Sequence, residues 1–146
     1  MLGIIICGHG GFASGLELAM LQILGEQEAV IAIDFPESST TALLQAQCEA
    51  ALAEVDKGDG VVFLTDLLGG TPFRVASTLS LHQPEREVIT GTNLQLLLEM
   101  ALERDGLSAR EFRQQALDCG HRGLTSLADE MSKERQADAA LVEEGI

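Results

Sequence analysis

Four short apolar runs alternate with longer stretches in which apolar residues recur at helical spacing. The runs predict strands over Leu2–Cys7, Ala29–Phe35, Val61–Leu64 and Glu87–Thr90. The other stretches predict helices over Phe12–Leu24, Ser38 or Ser39 to about Val55, a segment beginning at Thr71-Pro72, Leu94–Arg104, Ser108 to about Cys119, and Leu124–Arg135. Nearly all-apolar strands alternating with helices are typical of a parallel sheet covered on both faces. The pattern therefore predicts an α/β fold with a doubly wound, mainly parallel sheet of about four strands and a helical C-terminal tail.

Local signals refine these boundaries. Thr71 is expected to be an N-cap, with Pro72 at the first helical position. Gly120–Gly123 is expected to separate the last two helices. Because no linker composition or internal repeat divides the chain, residues 1–146 are expected to form one domain.

The helix beginning at Leu94 is apolar on more than one face. Seven of the nine positions of the segment Leu94–Leu102 are apolar, more than one face of a helix needs. Such a helix must be buried on more than one side, so either the C-terminal tail or a second subunit is expected to cover it.

Composition excludes several classes of function. The 146 residues carry 9 Lys and Arg against 23 Asp and Glu, a formal charge of −14. So acidic a surface repels nucleic acid and anionic membranes, and no apolar run approaches the ~20 residues of a spanning helix. The N-terminus has no basic segment of the kind that begins a signal peptide, so a cytoplasmic location is expected.

The cysteines suggest neither a disulfide framework nor a metal site. Cys7, Cys48 and Cys119 are far apart and show no CxxC spacing, so buried free thiols in a reducing compartment are expected. Cys119 and His121 form a C-x-H pair, which without a second pair is weak support for a metal. No metal or cofactor is therefore expected.

Residues suited to phosphoryl chemistry follow two of the predicted strands. His9 lies among Gly8, Gly10 and Gly11 after the first strand, and Asp66 follows the third strand. If these strands are neighbours, the Asp66 carboxylate can accept a hydrogen bond from one imidazole nitrogen and leave the other as a nucleophile. A captured phosphoryl group would then meet Gly70, the Thr71 hydroxyl and Arg74, which begin the next helix.

A dinucleotide-binding site is an alternative. Gly8-His9-Gly10-Gly11-Phe12-Ala13 fits G-x-G-x-x-A after a strand, and Asp34 ends the second strand. That alternative leaves little chain for a second mononucleotide-binding half and gives the segment Asp66–Arg74 no role.

Three blocks resemble one family. GHGGFASG (Gly8–Gly15), DLLGGTPFRVA (Asp66–Ala76) and TGTNLQLLLE (Thr90–Glu99), in this order and spacing, resemble the enzyme IIA domains of the mannose family of the bacterial sugar phosphotransferase system (PTS). Within that family, FLTDLLGGTPFRVAS and CGHRGLTSL are most similar to the IIA proteins for N-acetylgalactosamine or galactosamine.

The resemblance implies a flavodoxin-like sheet, a homodimer and a phosphoryl relay. It implies that His9 is phosphorylated, that Asp66 orients it, and that Gly10, Gly70, Thr71 and Arg74 surround the phosphoryl group. The donor would be the phosphocarrier HPr, and the acceptor a IIB subunit that works with the membrane components IIC and IID. Since the sequence stops at Ile146, IIB is expected to be a separate polypeptide.

The sequence departs from the family at two points. Gln95 stands where many relatives have proline, and the helical tail after Leu107 offers no strand of the kind that some relatives exchange between subunits. Two alternative functions remain open for this chain. It could be the phosphocarrier subunit of a dihydroxyacetone-kinase-type system, or a regulatory IIA-like module that is phosphorylated as a signal.

Overall fold

The computed structural model describes residues 1–145, with side chains described through residue 142. Its strands are β1 (Gly3–His9), β2 (Val30–Phe35), β3 (Val61–Thr65) and β4 (Arg86–Ile89). Its helices are α1 (Phe12–Leu24), α2 (Thr41–Val55), α3 (Thr71–Ser80), α4 (Leu94–Glu103), α5 (Ala109–Gly123) and α6 (Leu127–Gly145).

The four strands form one parallel sheet in the order β2-β1-β3-β4. β1 therefore has a neighbour on each side, with His9 opposite Phe35 of β2 and Cys7 opposite Thr65 of β3. Because parallel strands end at the same edge, the segments after β1, β2 and β3 all emerge together. The α/β prediction, with a parallel sheet of four strands, is confirmed.

Helices cover both faces of the sheet, as the apolar strands predicted. One buried cluster joins Ile4, Ile6 and Leu64 to α1, α4 and α5, and a second joins Ile5 and Phe63 to α2 and α3. The chain's own α5 packs against α4, with Phe112 fully buried between them and the sheet. The tail is thus the cover for the second apolar face of α4.

The start of α3 differs from the sequence prediction. The N-cap is Gly70, in extended conformation, so Thr71 is the first helical residue and Pro72 the second. Thr71 was wrongly predicted as the cap because its hydroxyl suits that position, whereas the tight approach of this turn to His9 requires glycine there. The cap of α2 is likewise Thr40, whose hydroxyl accepts from Leu43 N–H at 3.1 Å, and not Ser38 or Ser39.

The expected break at Gly120–Gly123 is wrong, because α5 continues through Gly123. A Cβ on Gly120 would lie 2.9 Å from Leu96 Cδ1, so this glycine allows close packing of α5 on α4 and does not end the helix. The break falls at 124–126, and Ser126 Oγ accepts from Asp129 N–H at 3.1 Å to begin α6. Every described side chain of α6 is exposed, and no strand follows Leu107 among the described residues.

A buried arginine closes the opposite edge of the sheet. The Arg104 guanidinium donates to Leu2 O at 3.1 Å, to Ala29 O at 3.3 Å and to Glu28 O. These carbonyls precede or begin β1 and β2, and Ala29 adopts a left-handed conformation with φ of 52°. Arg104 therefore holds together the turn that enters β2 and the start of β1.

Within the described part of the chain, no helix has both the length and the apolar content to cross a bilayer.

Candidate functional site

His9 ends the central strand and is open to solvent. Its backbone is the last position of β1, while its side chain retains 45% of its accessible surface. The six residues before it in the strand are buried, so the main chain is fixed while the imidazole stays reachable. This combination suits a group that must meet another protein.

Asp66 binds His9 twice. Its Oδ2 accepts the His9 backbone N–H at 2.8 Å and lies 2.9 Å from the ring Nδ1. Asp66 follows β3, and since β3 pairs with β1 the two strand ends bring the residues together. Burial disfavours the charged carboxylate, but the hydrogen bonds from His9 outweigh it and hold the pKa of Asp66 below its usual value.

The contact between Oδ2 and Nδ1 determines which ring nitrogen is free. An ionised carboxylate only accepts, so Nδ1 carries the proton that it donates to Asp66. The neutral ring then has its lone pair on Nε2. The structure brings His9 and Asp66 together as the sequence predicted, and it leaves the Nε2 lone pair uninvolved in this contact.

The turn before α3 comes closest to that nitrogen. A Cβ placed on Gly70 would lie 2.7 Å from His9 Cε1 and 3.5 Å from Nε2, so only glycine fits here without moving the ring. Arg74 N–H bonds to Gly70 O at 2.9 Å, which closes the first helical turn. In the described chain no hydrogen bond uses the N–H of Thr71 or Phe73, and Pro72 has none to give. The N-terminus of α3 thus offers two free donors beside Nε2.

Two further predicted phosphate ligands are Gly10, whose N–H is already hydrogen-bonded, and Arg74, whose side chain borders a cavity. Gly10 has φ of 56°, which glycine tolerates, and its N–H donates to Phe35 O at 2.9 Å. Gly10 therefore shapes the turn after His9. Arg74 is exposed on α3 and, with Thr71, Thr41 and Gln45, borders a cavity of about 290 Å³ between α2 and α3.

A hydrogen bond to Asp34 argues against the dinucleotide-binding alternative. Its Oδ1 accepts the Ser14 N–H of α1 at 2.9 Å, so the carboxylate caps the helix that follows His9. A ribose would have to displace this contact.

The remaining histidines and cysteines do not join the site. His82 and His121 are exposed, and Cys7, Cys48 and Cys119 are free and buried. Burial raises the pKa of the Cys119 thiol to about 11, so it stays protonated near neutral pH. No group of three or more metal-ligating side chains occurs within residues 1–142.

Sequence reasoning did not identify Phe35 as a site residue. Its ring packs against the His9 ring with centroids 5.8 Å apart and planes at 76°. Phe35 ends β2, so the sequence placed it at the same edge of the sheet as His9. Its contact with His9 could be predicted only by knowing that β2 pairs with β1 in this register.

Residues 3–117 match the model of the family described as the PTS system fructose IIA component. Among curated relatives, the chain is 36% identical over 141 residues to the PTS system mannose-specific EIIAB component of Escherichia coli strain K12, covering 95% of this chain and 44% of that protein. It is 32% identical over 111 residues to the PTS system fructose-specific EIIA component of Bacillus subtilis strain 168, covering 76% of each.

A solved structure supports the same relationship. The phosphotransferase system component EIIA from Streptococcus agalactiae superposes with a TM-score of 0.81 at 30% identity, covering 88% of this chain and 99% of that one. The chain thus spans less than half of the E. coli EIIAB relative and nearly all of the S. agalactiae EIIA. Since the family match covers most of the residues, the chain belongs to the family of PTS IIA components of the mannose and fructose type.

Proposed function

We propose that this chain is a phosphoryl relay, in which His9 Nε2 accepts a phosphoryl group from phosphorylated HPr and passes it to a IIB component. The observation that carries the proposal is the pairing of Nδ1 with Asp66 at 2.9 Å beside an exposed ring edge. It leaves one nucleophilic nitrogen, at the end of a buried strand, facing the N-terminus of a helix.

The transfer needs no cofactor because the donor is already a phosphoramidate. The Nε2 lone pair forms the new N–P bond, while the N–P bond of the donor breaks and its electron pair stays on the donor imidazole. As positive charge develops on the His9 ring, the Asp66 carboxylate at Nδ1 stabilises it. The free N–H groups of Thr71 and Phe73, with the Thr71 hydroxyl, would receive the phosphoryl oxygens, and Arg74 would face the added charge.

The proposed partners follow from the family and from charge. The donor is HPr, the acceptor is a separate IIB subunit, and the membrane components IIC and IID complete the system. A chain of formal charge −14 would attract a basic carrier in the cytoplasm by long-range steering. The rate of encounter with HPr is therefore expected to fall steeply with added salt.

The proposed sugar is N-acetylgalactosamine or galactosamine. Support comes from the segments FLTDLLGGTPFRVAS and CGHRGLTSL, whereas the relatives named above are mannose- or fructose-specific. Growth of a deletion strain on N-acetylgalactosamine, galactosamine, mannose and fructose, with and without the restored chain, tests this assignment. Restored growth on mannose alone would contradict it.

We also propose that the chain forms a homodimer. Exposed apolar residues on and before α6, including Leu124 at 85% and Leu127 at 78%, support a contact there, since α4 is already covered by α5. Sedimentation at low micromolar concentration is expected to give a dimer that persists in high salt. A monomer under these conditions would refute it.

The decisive experiment is intact-mass measurement after incubation with phosphorylated HPr. The wild-type chain is expected to gain one acid-labile phosphoryl group, and His9→Ala none. The matched controls His82→Ala and His121→Ala replace exposed histidines outside the site and are expected to label fully. Normal labelling of His9→Ala would refute the proposal.

A further inference from the structure

The hydrogen bond to Asp66 leaves one motion of the His9 ring free. A single contact from Nδ1 to Oδ2 at 2.9 Å fixes where Nδ1 lies, but it does not stop the ring from turning about that contact. Nε2 lies on the far side of the ring and would move most in such a turn. Something else must hold the ring plane for Nε2 to keep facing α3.

Phe35 contacts the ring from the β2 side. Its ring meets the imidazole edge to face, with centroids 5.8 Å apart and an interplanar angle of 76°, which is a favoured aromatic geometry. Gly70 lies on the β3 side, where a Cβ would approach His9 Cε1 to 2.7 Å. Because β1 lies between β2 and β3, the two contacts flank the imidazole across the sheet.

Phe35 is itself held in place. Its Cα pairs with that of His9, and its carbonyl accepts the Gly10 N–H at 2.9 Å. Its side chain packs on the buried cluster between the sheet and α2 and α3. The aromatic ring is therefore a fixed surface and not a mobile neighbour.

We propose that Phe35 is a positioning residue for the relay, whose ring holds the His9 imidazole in the orientation that turns Nε2 toward the N-terminus of α3. This inference rests on the function proposed above. Phe35 touches the nucleophile's ring but not the phosphoryl group. Its effect is therefore expected in the step where Nε2 must be aligned with phosphorus, and not in the docking of the donor.

The test compares Phe35→Leu with Phe35→Tyr. Leucine keeps an apolar side chain but removes the aromatic contact, whereas tyrosine keeps the ring. Loss of an edge-to-face pair is expected to lower the maximal transfer rate from phosphorylated HPr by about threefold to tenfold. The half-saturating HPr concentration is expected to stay unchanged, and Phe35→Tyr is expected to transfer within about twofold of wild type.

A second readout uses the unphosphorylated protein. Three-bond couplings and ¹⁵N shifts of the His9 side chain report its rotamer and the position of its proton. A single rotamer is expected in wild type and Phe35→Tyr, and averaging between rotamers in Phe35→Leu. Phe112→Leu is the matched control for lost stability, because Phe112 is buried on the opposite face of the sheet, away from His9.

The outcomes separate this inference from the proposed function. A Phe35→Leu chain with a wild-type rate and a single His9 rotamer would overturn the positioning role. An equal loss of rate in Phe112→Leu would overturn it too, because the effect would then be general destabilisation. If wild type accepts no phosphoryl group, the relay function fails, and the His9 couplings still decide whether Phe35 orients the ring.

Discussion

The carboxyl and amino edges of the sheet each hold a cationic or ionisable side chain, one exposed and the other buried. At the carboxyl edge, the His9 side chain is 45% exposed and contacts one carboxylate. At the amino edge, Arg104 is 2% exposed and its guanidinium donates to three backbone carbonyls. Both residues join segments that are distant in sequence.

The two side chains differ in whether a polar nitrogen atom remains accessible to another molecule. His9 keeps an accessible nitrogen after its contact with Asp66, so it can form a bond with another molecule. The guanidinium nitrogens Nη1 and Nη2 of Arg104 are hydrogen-bonded within the fold, and burial lowers the pKa of the group. Arg104 Nε also lacks a hydrogen-bond partner but is buried, so what sets His9 apart is that its side chain reaches solvent.

The largest effect is expected from Asp66→Asn. The amide preserves shape but cannot stabilise a positive ring, and it can bind the wrong tautomer. Phosphoryl transfer from HPr is expected to slow by a factor on the order of 10², with folding intact. Rapid-quench measurement checks this, with Asp118→Asn on the exposed face of α5 as control. Wild-type kinetics would remove Asp66 from the mechanism.

Arg104→Leu is expected to lower the stability of the fold by removing hydrogen bonds at the amino edge of the sheet. It leaves the carbonyls of Leu2 and Glu28 without this donor, so the free energy of unfolding should fall by about 2–3 kcal/mol. Urea denaturation measures the loss, and the exposed Arg110→Leu serves as control. Folded Arg104→Leu should still be phosphorylated at His9 at the wild-type rate. A selective loss of phosphorylation would show that the two edges are coupled.

Gly70→Ala is expected to shift the His9 ring without lowering the stability of the fold. The new Cβ would approach His9 Cε1 to 2.7 Å, so the imidazole must move and transfer should slow by roughly tenfold. Gly70 has φ of −73°, so alanine brings no backbone strain. Gly15→Ala on α1, where the added Cβ meets nothing within 4 Å, should leave the rate unchanged. Equal rates in all three proteins would place the phosphoryl site elsewhere.

The smallest effect concerns stability in acid. The pKa of Asp66 is lower in the folded chain than in the unfolded one, so its contribution to stability is present above about pH 4. This contribution is lost as the pH falls through the lower, folded pKa. Wild type should therefore lose stability more steeply than Asp66→Asn as the pH falls below about 4. Parallel curves from urea denaturation at each pH would show that the Asp66–His9 contact adds nothing to folding.

The sequence was most informative where neighbouring residues decide the structure. The apolar runs located all four strands, and the glycines around His9 and the segment after Asp66 pointed to the site. The caps of α2 and α3 were misplaced by one or two residues. At α2 three adjacent hydroxyl residues could fill the position, and at α3 the cap is Gly70, whose close approach to His9 is not visible in the sequence. The roles of Phe35 and Arg104 were not predicted because their partners are distant in sequence: His9 is 26 positions from Phe35, and the partners of Arg104 are 75 to 102 positions away.

The central position of β1 has a consequence for amide hydrogen exchange. Backbone hydrogen bonds on both sides of β1 join it to β2 and β3, so its amides are expected to exchange with solvent only when the whole domain unfolds. The turn at Leu67–Leu68 lies outside the sheet, with both leucine side chains exposed and one turn hydrogen bond from Gly70 N–H to Leu67 O at 3.2 Å, so its amides are expected to exchange faster. His9 is thus anchored to the part of the sheet that is expected to exchange most slowly, while the turn beside it is expected to exchange faster.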